Sequence, residues 1–114
     1  MFSKEQIKKA ESCKVRLVCE TAYETTFEVS RLVKHRNQIK DEKRTYSVII
    51  LNGKGLHLID RFLGKGCDCR HFTLGTLHGD KLCAHSLAVV KWLDDNGRIS
   101  KGYYENFVLG KVEP

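Results

Sequence analysis

Hydrophobic residues recur along this chain at two different spacings, and the change from one to the other predicts its elements. Residues 15–20 alternate, with Val15, Leu17 and Cys19 on one face, which is the two-residue period of a half-buried strand. Residues 26–33 alternate again and include Thr26, Phe27, Val29 and Val33, β-branched and aromatic types that fit a pleated surface. Residues 45–51 are apolar on both faces, as a central strand would be. Asn52-Gly53 followed by Lys54-Gly55 is a strong hairpin-turn signal, returning the chain into a further strand over 56–60. The polar stretch 34–44 then links two strands of an antiparallel meander.

The helical period occupies the flanks. Residues 4–12 are good helix formers with Ile7 and Ala10 three apart, which predicts a short N-terminal helix. Residues 84–95 are apolar almost all round, through Ala84, Leu87, Ala88, Val89, Val90, Trp92 and Leu93, so this helix should be largely buried. Asn96-Gly97 stops it, since both residues tolerate the left-handed conformation a helix end requires. Beyond lies an aromatic patch of Tyr103, Tyr104, Phe107, Val108 and Leu109, expected as an irregular or short-strand tail against the sheet.

With 114 residues, two-fifths of them hydrophobic, the chain is read as a single domain, 1–114, with a modest core. A domain of this size gains from an added constraint, a disulfide or a metal. The first six residues are charged and polar, without an apolar segment of signal-peptide length. No run approaches the roughly 20 apolar residues of a membrane helix. The expectation is an intracellular protein, cytoplasmic or nuclear or nucleoid, whose five cysteines stay reduced and favour metal over disulfides. Cys13 and Cys19 are then buried or inert thiols.

The formal charge of +6 is unevenly placed. Residues 1–44 hold 11 Lys/Arg against 7 Asp/Glu, residues 45–66 hold 3 against 1, and residues 67–114 hold 6 of each. The basic surface therefore belongs to the first half. Its densest part contains Arg31, Lys34, Arg36, Lys40, Lys43 and Arg44. Between two strands it is either a mobile arm that meets phosphates or a solvated loop that aids solubility.

The chemistry lies in Cys67-Asp68-Cys69, then 13 residues, then Cys83-Ala84-His85. On an extended backbone residues i and i+2 point to the same side, so Cys67 and Cys69 can share an ion. On a regular helix they lie about 200° apart. Cys83 and His85 therefore converge only if Cys83 precedes the first turn and His85 lies within it. A thiolate there also gains from the free amides of the helix start. Three thiolates and an imidazole make a complete tetrahedral shell, the ligand class of structural zinc, with no position left for an activated water. His71 and His78, between the pairs, are alternative ligands.

The pattern Cys67-x-Cys69, a 13-residue gap, and Cys83-x-His85-x-x-Ala88 resembles the SWIM zinc finger in its longer form. The resemblance covers about residues 45–95, taken as the metal-binding core. It implies one structural Zn2+ on Cys67, Cys69, Cys83 and His85, a strand–strand–helix layout, and DNA-binding or protein-binding roles. The long form is associated with SWIM subunits of recombination-mediator complexes, which points to a small accessory factor, archaeal or from a virus of archaea.

The expected fold is thus α+β: an antiparallel β-meander with a zinc-pinned turn and a buried C-terminal helix. No nucleophile–base–orienter set is present, so the expected function is non-enzymatic. The first expectation is a DNA-binding accessory factor in recombination, repair, replication or transcription, with DNA ahead of RNA. In it Lys54, Arg61 and Lys65 join the basic residues 31–44 on the phosphate backbone. The alternative is a protein-interaction subunit that docks a recombinase-like or other nucleic-acid enzyme through the long helix and the aromatic patch. Edge strands of a small sheet also allow a homodimer.

Overall fold

Two ten-residue strands, paired along their whole length, form the spine of the protein. The computed structural model describes residues 4–33, 42–52, 61–62, 66–67 and 83–108. Helix α1 (Lys4–Ser12) leads into β1 (Lys14–Glu20), β2 (Glu24–Val33) and β3 (Glu42–Leu51), followed by the two-residue β4 (Gly66–Cys67), helix α2 (Ala84–Asp95) and helix α3 (Tyr103–Val108). The sheet order β1-β2-β3-β4 follows the sequence, and every pairing is antiparallel. The fold is α+β, and the meander is as the alternating pattern predicts. The strand expected over 56–60 lies outside the described residues.

One face of the sheet carries the core. Val15 pairs with Val29, Leu17 with Phe27, and Phe27 with Val48. Opposed residues share a face, so period-two alternation places Val15, Leu17, Phe27, Val29, Tyr46, Val48 and Ile50 on one side. Helix α2 lies across that side and also meets α1. Its Leu87, Ala88, Val89, Val90 and Leu93 are buried, with Phe62 beside them in the same cluster. Trp92 meets Phe27 edge-to-face at 5.0 Å, a favourable ring geometry.

Three elements differ from expectation, each for a physical reason. β3 begins three residues before its apolar run, because Arg31↔Arg44, Leu32↔Lys43 and Val33↔Glu42 continue the ladder, and β2 begins two residues early, at Glu24. Arg31, Lys43 and Arg44 are thus strand residues, not part of a linking arm. A register shift between Leu17 and Cys19 sets Cys19 opposite Thr26, so the bulge carries Cys19 off the core face and leaves it an exposed free thiol. Cys13, also a free thiol, is half-buried and donates to the Lys9 carbonyl at 3.1 Å.

The third difference is the aromatic patch, which is a helix packed on α2. Helix α2 ends in a Schellman arrangement: Gly97 N–H donates to the Asp94 carbonyl at 3.1 Å and Arg98 N–H to the Leu93 carbonyl at 2.8 Å. Gly97 has φ of 68° there. The Asp94 carboxylate then accepts from the N–H groups of Gly102 (3.1 Å) and Tyr104 (2.9 Å). It satisfies amides at the start of α3 that have no partner within the helix. Tyr104, Phe107 and Val108 are buried as a result; Leu109 lies outside the described residues.

Asn52, expected to open a hairpin turn, acts as a clamp. Its N–H donates to the Tyr23 carbonyl (2.8 Å) and its side-chain amide to the Thr21 carbonyl (2.9 Å). Its Oδ1 accepts from Thr25 (2.9 Å) and Arg61 (3.3 Å). Arg61 also donates to the Leu51 carbonyl at 2.8 Å. That guanidinium ties itself to the end of β3 through Leu51 and Asn52.

Candidate metal centre

Cys67 arrives by way of the sheet. β4 pairs with β3 through Val48↔Cys67 and Ile49↔Gly66. Val48 is fully buried on the core face, so its cross-strand partner Cys67 faces the core as well and is buried.

Cys83 and His85 arrive by way of α2, in the arrangement their spacing requires. Cys83 is the N-cap residue, with an extended backbone (φ −78°, ψ 171°), and its sulfur accepts the Ser86 N–H at 3.4 Å. The Ser86 hydroxyl lies 3.4 Å from the same sulfur. His85 sits in the first turn. Because Cys83 is extended while His85 is helical, the two side chains turn towards each other instead of to opposite faces. A thiolate capping the helix also faces the positive end of its dipole.

The three ligand atoms, two Sγ and His85 Nδ1, all lie within 4.8 Å of one another, and the three residues are buried. His85 Nδ1 is 3.7 Å from Cys67 Sγ and 3.9 Å from Cys83 Sγ. Two ligands on one tetrahedral zinc, at the usual Zn–S and Zn–N lengths, are separated by about 3.6 Å for a sulfur and a nitrogen. Both sulfur–nitrogen distances are therefore within a few tenths of an ångström of the spacing an ion requires. Thiolates buried here without a cation would incur a large desolvation cost. The cluster can hold a metal ion.

The imidazole is oriented from outside the cluster. Tyr46 stacks on the His85 ring, with centroids 3.9 Å apart and planes inclined by 26°. Tyr46 is two residues before Val48 on β3, so it shares the core face. The other ring nitrogen, Nε2, is buried and has no hydrogen-bond partner among the described residues. Ala88, one turn beyond His85, is buried in the core, where a methyl group lets α2 approach closely. Tyr46 and Ser86 were missed at the level of motif. The period-two face of residues 45–51 and the three-residue offset of Ser86 from the cap position are the signals that point to them.

Cys69, the fourth expected ligand, and the alternatives His71 and His78 lie outside the described residues. Of the expected nucleic-acid contacts, Lys34, Arg36 and Lys40 also lie outside, as do Lys54 and Lys65. Arg31 and Arg44 face each other across β2 and β3. Arg44 is 3.6 Å from Glu42, and Lys43 is exposed opposite Leu32. Among the described residues, no helix is long and apolar enough to cross a membrane.

No protein-family model, curated protein or solved structure matches the chain.

Proposed function

We propose that this is a non-enzymatic zinc protein that binds nucleic acid, in which one structural Zn2+ on Cys67, Cys69, Cys83 and His85 joins the sheet to the long helix. The observation that carries the zinc is the convergence of two buried sulfurs and His85 Nδ1 at near-tetrahedral spacing. Cys69 completes the shell, because a residue two beyond Cys67 on an extended chain returns to the same side. When bound, the zinc supplies a cross-link and neutralises the thiolates; it has no open position for substrate. The ligand spacing also keeps the resemblance to the SWIM finger as our reading of the site.

Nucleic acid is the partner favoured by charge. Arg31 and Arg44 are directly opposed across β2 and β3, with Glu42 3.6 Å from Arg44. They stand at the strand ends that flank residues 34–41, a segment with three more Lys/Arg. The alternative, docking of a protein through the long helix and the aromatic patch, draws on side chains largely committed to the core: Leu87, Val90, Leu93, Tyr104 and Phe107 are all buried.

Fluorescence anisotropy of the zinc-loaded protein against single- and double-stranded DNA across a salt series tests the reading. Affinity is expected to fall steeply with salt, and a variant with Arg36, Lys40, Lys43 and Arg44 made neutral should lose about one unit of slope per contact removed. Absence of binding at low salt by a folded, zinc-loaded chain would rule nucleic acid out.

A further inference from the structure

Helix α2 buries seven residues, and two of them are polar: His85 and Ser86. The other five, Leu87, Ala88, Val89, Val90 and Leu93, are apolar members of the core. His85 has its use in the metal cluster. Ser86 is fully buried, and a hydroxyl taken out of water needs a partner to offset its lost hydration. Apolar packing alone would be served by an alanine, as it is at position 88.

The partner is the sulfur of Cys83. Ser86 Oγ lies 3.4 Å from Cys83 Sγ, and the Ser86 N–H reaches the same sulfur at 3.4 Å. A serine within a helix commonly bonds back to a carbonyl of the preceding turn; this one meets a metal-ligating atom. Between a neutral thiol and a hydroxyl either group can donate. A thiolate bound to a metal has no proton to give, so there Ser86 donates both bonds. Hydrogen bonds to an ionised acceptor are the stronger kind. They draw density from the sulfur lone pairs and stabilise the negative charge that the buried site must accommodate. The N–H bond comes with the helix cap, whatever non-proline side chain follows. The O–H bond depends on the side chain at position 86.

We propose that Ser86 is a positioning residue of the metal centre, its hydroxyl donating to Cys83 Sγ so as to orient that sulfur and stabilise it as a thiolate ligand. The inference rests on the zinc reading above and deepens it, by naming a residue outside the ligand set on which metal affinity depends. Partners that orient metal ligands typically change affinity 10- to 100-fold when lost. Ser86→Ala isolates the hydroxyl, because alanine keeps the backbone N–H bond to the sulfur and is a better helix former than serine.

The test compares the full unaltered chain with Ser86→Ala and Ser86→Thr. Each is loaded with Co2+ to record the thiolate-to-metal charge-transfer band, and its zinc affinity is measured against a chromophoric chelator. In Ser86→Ala the band is expected to move to lower energy, since sulfur lone pairs relieved of a hydrogen bond give up charge more readily. Zinc affinity should fall about tenfold in the same variant. Ser86→Thr keeps a hydroxyl at the same position and should return the band towards that of the unaltered chain. A serine that merely fills space would change the melting temperature of Ser86→Ala and leave the band where it is. An unmoved band in Ser86→Ala, or one displaced equally in Ser86→Thr, overturns the proposal while the zinc site stands. An unaltered chain that shows no thiolate band with Co2+ contradicts the zinc reading itself, and the role of Ser86 falls with it.

Discussion

Cys83 has two uses in one side chain, helix cap and member of the metal cluster, and both follow from its extended backbone immediately before the first turn of α2. His85 is fixed differently, by the ring of Tyr46 stacked on it. Residues that orient a ligand typically change metal affinity by 10- to 100-fold when lost. Tyr46→Ala is expected to weaken zinc binding at least tenfold in competition with a chromophoric chelator. Tyr46→Phe keeps the stacked ring and should bind nearly as tightly; equal affinity for Tyr46→Ala and the unaltered chain would deny the ring any part in the site. At this scale the Cys and His spacings were legible because they state a geometric requirement directly. Tyr46 was not, because a β-strand tyrosine looks alike in sequence whether it stacks on a ligand or on a core leucine. The outward turn of Cys19 was hidden for a related reason: a bulge leaves the alternation of residue types intact while reversing the face that follows it.

Among the elements, α2 matches the 84–95 expectation at both ends, since a cap residue before it and Asn96-Gly97 after it are local signals. β3 ran longer than its apolar stretch because pairing with β2, not hydrophobicity, holds residues 42–44 in place. Helix α3 was illegible for a similar reason, as its first amides are satisfied by Asp94 from α2, a partner that no local pattern reveals. Tyr104, the second residue of α3, offers a clean pH test. Burial, helped by the negative charges of Glu11 and Asp95, pushes the Tyr104 hydroxyl up to about 12. An unfolded tyrosine ionises near pH 10. The folded state therefore holds its proton longer, and the stability due to the neutral phenol is complete below about pH 10 and is lost as pH rises towards 12. Tyr104→Phe should lose less stability over that window, by about 1 to 2 kcal/mol, in denaturant melts. Because the Tyr104 hydroxyl has no hydrogen-bond partner among the described residues, the same variant should be no less stable at pH 7. A strongly destabilised Tyr104→Phe would mean that the hydroxyl is bonded after all.

Across the whole molecule, the metal cluster sits where the chain most needs a fastening. Among the described residues β4 contributes two to the sheet, and it carries Cys67 to the first turn of the helix that covers the core. A metal ion held there would supply what a longer strand or a larger core otherwise would, and in small domains metal binding and folding are commonly one event. The most direct measurement is the metal content of the purified chain together with its thermal melt before and after chelation, for the unaltered protein and for Cys69→Ala. One zinc per chain is expected, with a cooperative melt that chelation abolishes and added zinc restores, and with a Co2+ derivative showing the strong visible bands of a tetrahedral thiolate site. Cys69→Ala should lose most of its zinc. A chain that folds cooperatively without any metal and melts unchanged after chelation would contradict a zinc-built fold.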